Sequence, residues 1–213
     1  MYVVYLKKNE EKKILSGYPW IFANEVWKIE GKDKQGSVAE VRGADGRFIG
    51  LGTINHHSKI IVRMLTRKQE VIDEEFYRKR IIEAVKFRQE LGYDDNYRAV
   101  FAESDLIPGF IVDKYGDYLS VQFLSLGVEV IRDMLIRLLI EIFSPKGIYE
   151  RSDVAVRLKE GLEERKGIIY GDFDPRVTIV ENGLKMIVDL ENGQKTGYFL
   201  DQKENRDDLK HYV

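Results

Sequence analysis

The spacing of the apolar residues changes once, near Val71, and that change divides what the chain can fold into. Before it, apolar residues fall in short runs broken by turn signals. Residues 2–7 (YVVYLK) read as a strand, and Lys12 to Gly17 as one helical turn stopped by glycine. Pro19 rules out a helix interior, and the aromatic and β-branched residues after it favour strand. Residues 37–41, 48–53 and 59–65 are three further strands, with Arg42 to Arg47 as a hairpin turn whose glycines supply positive φ. Short strands at this spacing predict a small β-barrel over residues 1–70.

After Val71 the repeat is helical. Asp73 is the expected N-cap, with Glu74 and Glu75 in the first turn. Phe76, Ile81, Ile82, Val85 and Leu91 form the apolar stripe, and Gly92 is the stop. Strands are expected at 99–102, 110–112 and 118–123, separated by turns at 106–109 and 114–117. A second helix over 128–143 ends at Ser144-Pro145. Strands at 147–150 and 168–170 complete an α+β unit. Residues 176–190 predict a hairpin about Asn182-Gly183, and 204–212 a helix. An uncapped helix followed by a lone Val213 is an odd ending. The chain therefore reads as the N-terminal portion of a longer protein; a terminal helix docking back on the middle unit is the alternative.

Composition narrows the chemistry. The chain has no cysteine, which excludes a disulfide framework, a thiolate zinc site and a cysteine nucleophile within it, and fits a reducing cytosol. The start, MYVVYLKKNEEKK, lacks the features of a signal peptide. The most apolar segment, Met134 to Phe143, is too short and too charged to span a bilayer, so no membrane partner is expected. Net charge is −2, but residues 1–70 hold 13 basic against 8 acidic residues and the remainder 21 against 28. A basic block beside an acidic remainder suggests separate tasks.

The densest binding chemistry is GQKTGYFLDQKENR, residues 193–206. It is no P-loop, because Gln194 separates Gly193 from Lys195. Gly193 and Gly197 free the backbone for tight conformations. Gln194, Thr196, Asp201 and Gln202 supply neutral and acidic hydrogen-bonding groups, which suit an amino-acid-like ligand better than a triphosphate. A polar hairpin loop entering a helix accounts for the same residues.

This segment resembles the one leading into the catalytic domain of ribosomal RNA 5-methylcytosine methyltransferases with an N-terminal PUA domain. Ser16-Gly17-Tyr18-Pro19-Trp20-Ile21-Phe22 is similar to the entry of that family's barrel. The run from Ala102 to Asp117 (AESDLIPGFIVDKYGD) and Tyr149-Glu150-Arg151-Ser152-Asp153 resemble two segments of its strand-strand-helix-strand-strand middle domain. The resemblance implies a PUA-like barrel at 1–70, a middle domain at 71–174, and at 175–213 the beginning of a Rossmann-like methyltransferase domain that binds S-adenosylmethionine. It implies that 193–202 closes over the methionine end of the cofactor, loosely held when the rest of that domain is absent. Gln194, Thr196 and Gly197 would lie near the cofactor, with Asp201, Gln202 and Arg206 organising the segment. Phe199 would pack beside the cofactor or the target base, or in a core; Tyr198 reads as core, and Lys195 as solvated. The implied mechanism, addition of a cysteine thiolate to cytosine followed by methyl transfer to C5, needs residues this chain lacks, so the chain alone is expected to be inactive.

The implied partner is ribosomal RNA in the cytoplasm, and a homodimer is left open. Lys7, Lys8, Lys12, Lys13, Lys59, Arg63, Arg67 and Lys68 are the candidate phosphate contacts. Trp20 and Phe22 would stack on bases or belong to the core. His56-His57 has no third ligand for a metal. Glu103 with Asp105, and Asp113 with Asp117, read as turn carboxylates bonding to backbone. Glu150, Arg151 and Asp153 read as ion pairs joining the middle unit to its neighbour. A stand-alone RNA-binding adaptor, or a methyltransferase acting on another RNA or base, remain the competing readings.

Overall fold

The computed structural model describes residues 1–93, 95–209 and 212. Among these, the first six strands are β1 (Tyr2–Leu6), β2 (Trp20–Phe22), β3 (Val26–Glu30), β4 (Val38–Arg42), β5 (Phe48–Ile54) and β6 (Ile60–Thr66), with the helical turn α1 (Glu11–Leu15) after β1. They form one sheet in the order β2-β6-β5-β4-β1-β3. β1 runs antiparallel to β3 and parallel to β4. Val4, Ile14, Ile21, Val41, Ile54 and Val62 share a single core, although their strands reach from one end of the sheet almost to the other. Curling is helped by Gly52 in β5, beside a register shift against β6. A Cβ there would lie 2.5 Å from the Arg63 carbonyl oxygen, so only glycine lets the strands approach this closely.

The second sheet has the order β11-β10-β9-β8-β7, from β7 (Asn96–Phe101), β8 (Phe110–Tyr115), β9 (Tyr118–Phe123), β10 (Gly147–Ser152) and β11 (Arg165–Tyr170). All its neighbouring pairs are antiparallel except β9 with β10. One face packs on α2 (Glu74–Glu90) and α4 (Arg132–Phe143) through Phe76, Ile81, Val100, Phe110, Val112, Leu135 and Leu139. The Asp73 side chain caps α2 by accepting from the Phe76 amide at 3.0 Å, as its position predicts. The stripe differs in detail. Tyr77 and Ala84 are buried with Phe76 and Ile81, whereas Ile82 and Leu91 are exposed.

The helix expected over 128–143 is two, α3 (Leu126–Glu129) and α4, and a further turn, α5 (Val156–Lys159), follows β10. Packing explains the break. α3 presses on the first sheet, where a Cβ on Gly127 would sit 2.3 Å from Thr53 Oγ1. A hairpin of β12 (Arg176–Glu181) and β13 (Leu184–Asp189) then turns at Asn182-Gly183, both with positive φ, the tight turn those residues favour. Val177, Ile179, Val188 and Leu190 pack on Tyr115 and Tyr149, on the sheet face opposite α2 and α4. The last helix, α6 (Lys203–Asp208), is shorter than expected; residues 210 and 211 of its expected span lie outside the described residues. Among the described residues, no helix is long and apolar enough to cross a membrane.

A buried ion pair joins the two sheets. Arg63 on β6 donates to Glu160 at 2.8 Å and to Glu103 at 3.2 Å. Glu160 also accepts from Ser58 Oγ at 2.7 Å and Asn55 Nδ2 at 3.0 Å. Burial pushes the Glu160 carboxyl up, but the Arg63 charge and the hydrogen bonds from Arg63, Ser58 and Asn55 outweigh it, and its pKa is lowered from 4.5. A depressed carboxylate stabilises the fold above its unfolded-state pKa and loses that contribution as pH falls through the folded value. Replacing Arg63 with Met should therefore cost about 3–5 kcal/mol at neutral pH, by leaving the Glu160 charge without its cation. In urea unfolding the gap between wild type and Arg63→Met should narrow below about pH 4.5. A gap constant with pH would show that the pair is not what joins the sheets.

Candidate functional site

Residues 193–206 follow the hairpin and fold back onto the middle sheet. Thr196 has only 1% of its surface exposed, and its hydroxyl bonds to the Asp113 carboxylate and lies 3.1 Å from Tyr115 Oη. Asp113 is itself buried and takes a two-pronged contact from Arg98, Nε at 2.8 Å and Nη2 at 3.0 Å. Tyr115 accepts the Tyr198 amide at 3.2 Å. Burial, and then the Asp113 charge, push the Tyr115 hydroxyl's pKa up, so it stays protonated. From β10, Arg151 Nη1 reaches the carbonyls of Leu190 at 2.8 Å and Gly193 at 3.1 Å. The loop closes on itself where the Gly197 amide donates to the Gln194 carbonyl at 2.9 Å. A Cβ on Gly193 would lie 2.2 Å from the Gly197 oxygen, and Gly197 has φ +140°, so both positions need glycine.

These bonds correct the expectation of a loosely held segment: the middle unit supplies the partners of Thr196. Further along, Arg206 grips Glu181 at 2.6 and 3.0 Å, donates to the Phe199 carbonyl at 2.9 Å, and lies over the Tyr198 ring. Lys195 is exposed, as expected. Its ammonium is 3.0 Å from Asp201 and 4.4 Å from the Phe199 ring centroid, and its hydrogen bond lowers the Asp201 pKa. Gln202 Oε1 accepts from Asn205 at 2.8 Å. The Gln194 side chain is exposed and makes no hydrogen bond among the described residues.

The basic candidates divide. Lys7, Lys8, Lys12, Lys59 and Lys68 are exposed, Lys7 with its ammonium on the Asn24 carbonyl. Lys13 is paired with Glu25 and lies over the Tyr18 and Phe22 rings. Arg67 donates to the carbonyls of Ile14 and Tyr18, pinning α1 and the Gly17 loop. Arg63 is corrected as a candidate phosphate contact: it is buried and occupied by Glu160 and Glu103. Trp20, half-buried, donates from its indole to Glu103 at 2.8 Å and so belongs to the same joint.

The carboxylates read as turn groups are mostly ion-pair partners. Asp105 takes Arg88 in a two-pronged contact and also accepts the Phe101 amide. Asp113 lies within β8, and Asp117 pairs with Lys146 at 2.7 Å. Arg151 bridges to the C-terminal segment and bonds Asp153, but Glu150 turns the other way, to Arg132 at 2.6 Å. Among the described residues no three His, Asp or Glu side chains cluster as a metal would need. Arg98, Tyr115 and Glu181 hold the segment, and the sequence reading missed all three. A strand pattern marks their elements but carries no sign of which distant loop they meet.

Comparison with known proteins gives likenesses of three kinds: a family model, named relatives and solved structures. A family model described as a PUA-like domain matches residues 4–67. A protein named ribosomal RNA large subunit methyltransferase I from Vibrio cholerae serotype O1 is 41% identical over 214 residues, covering 99% of this chain and 54% of that protein. Its namesake from Tolumonas auensis is 44% identical over 209 residues, covering 95% of this chain and 53% of that protein. The chain spans about half the length of the curated relatives it matches. A candidate SAM-dependent methyltransferase from Streptococcus mutans superimposes with a TM-score of 0.78 at 21% identity, covering 98% of this chain and 54% of that one. A candidate methyltransferase complexed with SAH gives 0.80 at 21%, covering 98% and 53%. At that identity the two structures show a shared fold.

The geometry separates two residues that look alike in sequence. Thr196→Val should cost about 1–3 kcal/mol, because it strips a hydrogen bond from a buried carboxylate. Gln194→Ala, at an exposed position, should stay within about 0.5 kcal/mol. Chemical unfolding of both variants checks this, and equal small effects would mean that Thr196 does not anchor the loop.

Proposed function

We propose that this chain is the RNA-recognition and cofactor-edge part of a ribosomal RNA methyltransferase that uses S-adenosylmethionine and acts on C5 of a cytosine, in the cytoplasm. The observation that carries this reading is 41% identity, along 99% of the chain, to a relative named for ribosomal RNA methylation. On this reading residues 1–70 recognise RNA, 71–174 form the middle domain, and 175–213 begin the catalytic domain. The exposed Lys7, Lys8, Lys12, Lys59 and Lys68 support the first part, since ammonium groups neutralise phosphates and position a nucleic acid without reading its bases.

At the cofactor edge the available groups fit an amino-acid end. Gln194 offers an uncommitted amide, and Gln202 keeps its Nε2 donor free of any hydrogen bond among the described residues. These two would hold the cofactor's amino and carboxylate groups, and the Phe199 ring, fixed under Lys195, would pack beside it. S-adenosylmethionine, when bound, supplies an electrophilic methyl group. Thr196, Gly197, Asp201 and Arg206 act from behind by fixing the backbone that presents Gln194 and Gln202. Such positioning without ligand lowers the cost of ordering the site on binding.

Attack on the base calls for a thiolate, and these residues include no cysteine. The purified chain should therefore bind a ribosomal RNA fragment but transfer no labelled methyl group to it. Transfer by the chain, free of contaminating enzyme, would overturn the assignment of the chemistry to residues outside it. Binding should weaken as salt rises, and Lys12→Glu with Lys68→Glu should lower affinity at low salt and flatten the salt dependence. Affinity indifferent to salt and to both changes would refute the basic edge as the RNA contact.

A further inference from the structure

We infer that the cleft between the end of α2, β7 and residues 195–201 binds one unpaired nucleotide of the RNA, its base stacked on Phe101 and its phosphate on Arg98 and Lys195. The inference deepens the RNA reading above and rests on it. The cleft has a volume of about 390 Å³, within the range of small-ligand pockets. Tyr93, Tyr97 and Tyr198 line it with Phe101, and Arg88, Arg98 and Lys195 bring three cationic heads to it, each held by a carboxylate, Asp105, Asp113 and Asp201 in turn.

The cations are already held. Arg98 places Nε and Nη2 on buried Asp113, so its plane is fixed and Nη1 makes no hydrogen bond among the described residues. The same guanidinium carbon lies 4.8 Å from the Phe101 ring centroid. Arg88 is locked by Asp105 and by the Arg98 carbonyl. Phe101, although large and apolar, is 44% exposed at the cleft, and Leu91 beside it 59%. An exposed aromatic face next to an immobilised guanidinium matches a ring that carries a phosphate. Splayed-out bases of single-stranded RNA are recognised by stacking on aromatic rings and guanidinium planes, with cations tracking the backbone. The cleft shares Lys195 and Asp201 with the proposed cofactor edge, so a nucleotide held here lies beside that segment.

The test compares two probes on the intact chain: a short labelled oligouridylate and a blunt RNA hairpin without unpaired loops. Phe101→Ala should weaken oligouridylate binding roughly 5- to 150-fold, the loss of one base–aromatic stack, and leave hairpin binding unchanged. Phe101→Trp should restore it, and thermal melts of both variants should match wild type, since the ring is half-exposed. Oligouridylate affinity indifferent to Phe101→Ala would overturn the inference while hairpin binding left the RNA reading standing, and would point to a protein segment as the cleft's occupant. Failure of both probes to bind would overturn the RNA reading and the inference together.

Discussion

Asp113 stands on a sheet face with 1% of its surface exposed, and a carboxylate so placed has to be surrounded by donors. Arg98 answers it from the neighbouring strand and Thr196 from a loop far along the chain. That requirement organises the C-terminal third. With Thr196 held, Tyr115 meets the next peptide, Arg151 meets the two carbonyls before it, and the hairpin packs on Tyr115 and Tyr149. The two faces of one sheet thus do different work: apolar residues hold the helices on one, and a polar network holds the GQKTG loop on the other.

Glu160 imposes the same logic at the joint with the first sheet. Its carboxylate draws in Arg63, Ser58 and Asn55 from a single stretch of the N-terminal unit, and Arg63 then shares Glu103 with Trp20. Close backbone approach accompanies the charge pairing, through Gly127 on Thr53 and Gly36 on Val130. A shape-matched contact carrying a buried ion pair fixes orientation more than it adds stability, because desolvation offsets much of the attraction. The exposed lysines of the first sheet are thereby set at a defined angle to the cleft on the second.

Local signals in the sequence matched the structure wherever a neighbour within a few residues decided the outcome. Asp73 caps α2 through Phe76, and Asn182-Gly183 turns the hairpin. They failed where the partner was distant. Arg63 looks like a phosphate contact because it sits among lysines, but Glu160, 97 residues away, decides its role. Thr196 looks like a free loop hydroxyl, but Asp113, 83 residues away, takes it. The break before α4 depends likewise on Thr53, which no periodicity in 126–143 reveals. Residue types therefore marked the loop as important, and only the folded contacts separate the side chains facing outward from those that hold it.

The Arg151 clamp has a mechanical consequence. Leu190 and Gly193 are tied to β10, Thr196 to β8 and Arg206 to Glu181 on β12, so tension on the last helix is shared between the hairpin and the middle sheet. The share that passes through Thr196 is delivered to β8, the strand whose Asp113 also fixes Arg98 at the cleft.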